Sequence, residues 1–382
     1  MSSQQIYLDY AAATPVDSRV LAAMQPYLSD NFYNPSATYN TGLKAREALE
    51  TARRQVAHWL GARSSEIIFT AGGTEANNLA IHGVMRQFPE GNIVVSGIEH
   101  ESVLAPAARY DCREVTVAAD GRIDLDDLRQ KIDEKTVLVS VQYANNEVGT
   151  IQPIRDIARI VAEKRAARPL GKTYPLYLHT DACQAANYLD LHVARLGVDL
   201  LTLNGGKIYG PKQSGVLYVK AGVKLSPLID GGGQERNLRS GTENVAGAVG
   251  LATALELVQA DRARETKRLQ ALRTRFFSSL EQEIPNVMIN GSKKFRLPNN
   301  VHITIPGHDN ERLLIQLDEA GIMAAAGSAC SASNEEPSHV LRAIGLSDDA
   351  AQSSLRFTMG RATTSDMIEQ TVHTLAKLVI IN

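Results

Sequence analysis

Short apolar runs alternate along this chain with stretches of helical periodicity, and that alternation limits the fold more than any other feature. Asn92–Ser96, Thr136–Tyr143, Tyr174–His179, Leu200–Leu203 and Gly215–Val219 read as buried strands. A helix-capable stretch follows the first, and a helical pattern runs from Ile154 to Ala167. Strands separated by helical crossovers predict an α/β fold with a mainly parallel sheet covered on both faces. Near Val245 the texture changes. A long helical pattern passes through Ala260 and Arg273, followed by a strand candidate, Val301–Ile305, and a helix from Asn310 to Ala320. This reads as a smaller α+β unit on which the first dozen residues could pack. The expected division is 13–255 for the large unit and 1–12 with 256–382 for the small one.

Bulk properties exclude some classes. The chain has 382 residues, 44% of them hydrophobic, enough for a full core. Charged residues make up 21% with a formal net charge of −2, so no nucleic-acid or membrane surface is expected. Met1–Tyr10 lacks a basic, apolar leader, and no run approaches the roughly 18 apolar residues of a membrane span, so a cytoplasmic location is expected. The three cysteines, Cys112, Cys183 and Cys330, are odd in number and widely spaced. That suits neither a disulfide framework nor a zinc site, and no metal is expected.

Five segments carry chemistry. Thr70-Ala71-Gly72-Gly73-Thr74-Glu75 follows the strand candidate Glu66–Phe69 and opens a helix, where free N–H groups and the Thr74 hydroxyl suit a phosphate. An ordinary glycine turn with Thr74 as N-cap is the other reading. Asp181 ends a strand, where open α/β sheets place ligands and where a carboxylate can hold a protonated pyridine nitrogen. A helix N-cap is its alternative. Lys207 lies just past a strand among glycines, a setting in which a lysine can lose its proton and form a Schiff base, although a solvated loop lysine is the commoner case. Cys330 stands in a run of small polar residues and reads as an accessible nucleophile or an incidental loop cysteine. Arg356 could fork onto a carboxylate or form a surface ion pair.

In this order, the segments resemble the cysteine desulfurases of the NifS/IscS kind, within the class V aminotransferase superfamily. The resemblance runs from Tyr7-Leu8-Asp9-Tyr10-Ala11-Ala12 to the Arg356 strand. It includes Asn34-Pro35-Ser36, Glu99-His100, Asn145-Asn146-Glu147-Val148-Gly149, Thr180-Asp181-Ala182-Cys183-Gln184, Lys207-Ile208-Tyr209-Gly210-Pro211-Lys212, Gly231-Gly232-Gly233-Gln234-Glu235-Arg236, Arg239-Ser240-Gly241-Thr242 and Gly327-Ser328-Ala329-Cys330. It implies a fold type I enzyme dependent on pyridoxal 5′-phosphate (PLP), with a seven-stranded sheet in the large unit. It also implies a homodimer with shared active sites. L-cysteine would become L-alanine, its sulfur passing to Cys330 as a persulfide for acceptors such as an iron–sulfur scaffold or the tRNA thiolation machinery.

By the family pattern Lys207 would carry the cofactor, Asp181 would pair with its pyridine nitrogen, and His100 would stack on the ring and move protons. Gln184 and Asn146 would touch the ring hydroxyl. Gly73 and Thr74 would hold the phosphate, reached also by Thr242 of the second copy. Arg356, helped by Asn34, would hold the substrate carboxylate. The sequence departs from many relatives at Asn204 and Gly206, where a serine and a histidine stand near the phosphate, and at Tyr39, commonly a histidine. The longer C-terminal tail that housekeeping relatives use for scaffold docking is expected to be absent. Two rival readings remain: another PLP reaction, such as a transaminase or lyase, in which Cys330 is dispensable, and a non-catalytic relative that has lost tight PLP binding.

Overall fold

A computed structural model describes residues 5–169, 174–327 and 337–381. Its strands, in chain order, are β1 (Ile6–Tyr7), β2 (Ile67–Thr70), β3 (Asn92–Ser96), β4 (Asp111–Val115), β5 (Thr136–Ser140), β6 (Tyr177–Asp181), β7 (Leu200–Asn204), β8 (Gly215–Val219), β9 (Met288–Ile289), β10 (Asn300–Thr304), β11 (Ile322–Met323) and β12 (Ser354–Thr358). Seven of them form one sheet in the order β2-β8-β7-β6-β5-β3-β4. β8 runs antiparallel to both neighbours, and the other pairings are parallel. The expected α/β architecture with a mainly parallel seven-stranded sheet is therefore present.

The sequence explains the strand positions. Every residue of β3, β5 and β8 is buried. Such continuous apolar runs suit strands covered on both faces. β4 (Asp-Cys-Arg-Glu-Val) alternates only weakly and sits at the sheet edge, half exposed, which is why its pattern is faint.

Because β8 is reversed twice over, β2, β3, β5, β6 and β7 all point their carboxyl ends the same way. The segments that leave those ends are the ones the sequence marks: Gly72-Gly73-Thr74 after β2, His100 after β3, Asn146 after β5, Asp181 at the end of β6, and Asn204 to Lys207 at the end of β7.

A 39-residue helix, Val245–Glu283, is the spine of the molecule. Its first half packs Ala248, Leu251, Leu255 and Val258 into the core beside the large sheet. Its second half sends Leu269, Phe276 and Leu280 into a separate core with β10, β12 and the C-terminal helix Ser365–Ile381. Ile6 and Leu8 belong to that second core, and β1 pairs in parallel with β11. The small sheet is antiparallel, in the order β12-β10-β9. None of the described helices is long and apolar enough to cross a membrane.

Candidate active site

The helix Gly73–Met85 begins where the sequence places it, and its start is built for a close ligand. Gly72 is the N-cap with φ 147°, a region that disfavours a side chain, and no side chain caps the helix. Thr74 is therefore not the N-cap. The first amides of a helix have no partner within it, so those of Gly73 and Thr74 face an anion naturally. A Cβ on Gly72 would meet nothing within 4 Å, whereas one on Gly73 would stand 2.8 Å from Cys183 Sγ and 3.5 Å from Asn204 Nδ2. One glycine borders open space and the other lets the helix start sit tightly on β7.

Asn204 explains how the first departure works. Its Oδ1 accepts from Gly206 N at 3.0 Å and closes the turn Gly205–Lys207. The amide NH2 is left on the side of the helix start. Gly206 offers its carbonyl inward, to the amide and the hydroxyl of Thr14 at 3.2 and 3.1 Å. The position that carries a histidine in many relatives is here a backbone bracket for the N-terminal segment.

That turn delivers Lys207, half-buried, with Nζ donating to the carbonyls of Ala11 at 2.9 Å and Ala12 at 2.5 Å. Gln184 Nε2 donates to the same Ala11 oxygen at 3.0 Å. The Tyr7–Ala12 motif thus threads over the sheet and meets the lysine. Lys212 turns the other way, to Thr14 O at 2.6 Å.

Asp181 is buried at the end of β6. Its Oδ1 accepts from the amide of Cys183 at 2.9 Å and its Oδ2 from Asn77 Nδ2 at 2.7 Å. It caps no helix, so the N-cap alternative is not what the structure shows. Two donors suit an ionised acid, and lone pairs remain for a pyridinium N–H. Beneath it, His179 lies between Ser140 Oγ at 2.8 Å and Thr202 Oγ1 at 3.0 Å, and burial pushes its pKa down to about 4. Burial also pushes the Cys183 thiol well up, and Cys112 up to about 11. Both described cysteines are thus neutral packing thiols.

His100 is the N-cap of the short helix Glu101–Ala107. Its Nδ1 accepts from Ser102 N at 3.0 Å and lies 2.8 Å from Ser102 Oγ. Glu99, just before it, is fully buried, and burial raises its carboxyl pKa well above the usual range.

Arg356 stands on β12, in the small antiparallel sheet of the second core. It is no surface residue, being only 1% exposed. Nη2 pairs with Asp9 Oδ1 at 2.7 Å and Nη1 donates to the Asn146 carbonyl at 3.1 Å, while Nε is buried without a partner. Arg356 also bridges Ala325 through the backbone, in both directions. Asn146 is thereby joined to Arg356, but through its backbone.

Asn34 is exposed and spends Oδ1 on the amide of Ser36, so it is not drawn to Arg356 by that contact. Tyr39 is exposed and packs edge-on to Tyr33. Thr242 is exposed and lines an open pocket with Thr70, Ala71, Glu235 and Arg239. Cys330 lies outside the described residues. Beyond it, Ser338 Oγ donates to Glu147 Oε2 at 2.6 Å and His339 Nε2 lies 2.9 Å from the Glu99 carbonyl.

Sequence reasoning missed Asn77, Ser102 and Asp9 as parts of the site. Asn77 had a signal, a polar residue on the apolar face made by Ala76, Leu79, Ala80 and Val84. Asp9 pairs across 347 positions and had none locally.

The described residues fit PLP. The amide-rich helix start is matched to a phosphate, the acid at a strand end to a pyridine nitrogen, and the glycine-held lysine to an aldehyde. Comparison with known proteins agrees. The family model "Aminotransferase class-V" matches residues 6–371. A protein named cysteine desulfurase IscS from Dictyoglomus turgidum is 41% identical, the match covering 98% of this chain and 95% of that one. Another of that name, from Methanosarcina thermophila, is also 41% identical, over 99% of this chain and 92% of its own length. Among solved structures, a NifS-like protein has a TM-score of 0.91 at 32% identity, covering 99% of this chain and 100% of that one. A structure titled "SspA in complex with cysteine" has a TM-score of 0.80 at 35% identity, over 93% and 99% of the two chains.

Proposed function

The chain belongs to the class-V aminotransferase family, and from that premise we propose that Lys207 carries the cofactor and Cys330 receives the sulfur. The protein is a PLP-dependent cysteine desulfurase of fold type I. The observation that carries the site assignment is convergence: Lys207, Asp181 and the helix start at Gly73 leave carboxyl ends on one edge of a single sheet, β6 and β7 adjacent and β2 beyond β7 across β8.

Bound there, PLP supplies an electron sink for chemistry at the amino-acid α-carbon. The residues supply the rest. Gly73 and Thr74 N–H groups, with Asn204 Nδ2, bind the phosphate. Asp181 keeps a proton on the pyridine nitrogen. Gln184 and Asn146 would hold the ring hydroxyl, and His100 would stack on the ring. Lys207 Nζ moves the α-proton of L-cysteine as a base. Arg356 holds the substrate carboxylate, with the unpartnered Nε available for it, and Asn34 assists. The Cys330 thiolate attacks the substrate sulfur. An S–S bond forms, the C–S bond breaks with its electrons left on carbon, and protonation there gives alanine. The persulfide then passes to a sulfur acceptor. The thiols of half-buried Cys112 and buried Cys183, both held neutral by burial, are unsuited to that nucleophilic role.

We extend the reading to organisation. The chain divides into a PLP-binding unit, 13–255, and a small unit, 1–12 with 256–382. Two copies pair in the cytoplasm, each lending Thr242 to the other's phosphate. The exposed Leu28 and Phe32, each 68% accessible, support a covered face. The acceptors we propose are an iron–sulfur scaffold or a tRNA-thiolating protein.

The test is alanine release from L-cysteine with a reductant, comparing native protein with Cys330→Ser. Alanine from the native protein alone supports the reading. Equal alanine from both removes Cys330 as acceptor and leaves a lyase.

A further inference from the structure

Two buried side chains that the reaction above does not use join the cofactor's acid to its stacking histidine. Asn77 lies one turn into the helix Gly73–Met85 and is fully buried. Its Nδ2 donates to Asp181 Oδ2 at 2.7 Å and to Ser102 Oγ at 2.8 Å. An amide NH2 has two hydrogens, so both are committed and both partners must accept. Ser102 Oγ then has one hydrogen to give, and His100 Nδ1 lies 2.8 Å away. The same nitrogen takes the Ser102 backbone N–H at 3.0 Å. Nδ1 is thus an acceptor twice over, and the ring proton stands on Nε2.

The amide's orientation follows from its surroundings. Asn77 Oδ1 is buried with no hydrogen-bond partner. Reversing the amide would satisfy it against Ser102 but set an acceptor against the Asp181 carboxylate. The NH2 side decides the matter, at the cost of one orphaned acceptor.

We propose that Asn77 is a positioning residue. Its two N–H groups set Asp181 as an acceptor toward the pyridine nitrogen and, through the Ser102 hydroxyl, reinforce the Nε2–H tautomer of His100 that the Ser102 backbone N–H also favours. Acid and stacking ring are aligned as one hydrogen-bonded unit, with the His100 ring proton on Nε2. The inference rests on the assignment of Asp181 and His100 made above.

The experiment is nitrogen-15 NMR of histidine-labelled, PLP-loaded protein, with the His100 signals identified by their loss in His100→Gln. Native protein should show an acceptor-type Nδ1 and a protonated Nε2. In Ser102→Ala the two signals should move only part of the way toward the tautomeric average, because the backbone N–H of residue 102 still donates to Nδ1, with PLP affinity within about twofold of native. In Asn77→Leu the signals should move the same way, and the PLP dissociation constant should rise about tenfold as Asp181 loses a donor. A native His100 that is averaged or protonated on Nδ1 overturns the proposal. So does an Asn77→Leu protein with native PLP affinity and native His100 signals. If Asn77→Leu does not fold, the native spectrum and Ser102→Ala decide. If native protein binds no PLP, the site assignment fails instead, and the apoprotein's His100 tautomer still tests the hydrogen-bond chain.

Discussion

The two walls of the site solve opposite electrostatic problems. On the large-sheet wall, charge is met by fixed donors and acceptors: Asp181 has an amide and an asparagine, and Lys207 has two carbonyls. Three of those partners are backbone groups and the fourth is the buried Asn77 side chain, so the wall is set before any ligand arrives. On the opposite wall, Arg356 is a buried cation held by one carboxylate and one carbonyl, with its Nε left without a partner. A guanidinium so placed is half-satisfied by the fold, which is what a residue receiving a substrate carboxylate requires. The cofactor wall is stiff and the substrate wall holds a charge in balance.

Removing the balancing charge should have the largest effect on stability. Asp9→Asn leaves Arg356 buried beside a neutral amide, and denaturant unfolding should show a loss of about 3 kcal/mol, at the low end for a broken buried pair because Asp9 is partly exposed. A loss below about 0.5 kcal/mol would mean that the substrate wall does not depend on this pair.

The large-sheet wall should instead be sensitive to acid through His179. Its pKa falls from 6.5 for the free side chain to about 4 in the fold. Between those values the unfolded chain binds a proton that the folded one refuses. The stability His179 contributes is full above pH 6.5 and is lost as pH falls toward 4. Glu99, whose raised pKa comes from burial, works in the opposite sense and gains on acidification. Comparison with His179→Gln isolates the first: the native advantage should shrink by about 2 kcal/mol between pH 7 and pH 5. A constant difference would remove the effect.

The smallest expected change sharpens the contrast between binding substrate and binding cofactor. Arg356→Lys keeps the charge but loses the fork. KM for L-cysteine should rise about tenfold, with the PLP spectrum unchanged. A changed spectrum with unchanged KM would move Arg356 from the substrate to the cofactor.

Much of the cofactor wall was legible because its parts are local. A strand followed by glycines and a hydroxyl, or a lysine just past a strand, is written within ten residues of sequence. The antiparallel β8 was less so, since Gly215–Val219 reads as a strand whichever way it runs. The edge strand β4 was missed because its Asp-Cys-Arg-Glu-Val pattern is half exposed. The substrate wall was legible only as a candidate arginine. Its burial and its pairing with Asp9 come from tertiary contact between β12 and the chain's first residues, which no local pattern reports. Likewise Asn77 and Ser102 acquire meaning only when two helices place them beside Asp181.

The central claim is that the stiff wall presents Lys207 to the cofactor. Borohydride reduction of the PLP-loaded protein, followed by peptide mass mapping, tests it most directly. The account predicts a single pyridoxyl label on Lys207. A label on Lys212, or on any lysine away from the end of β7, would contradict it.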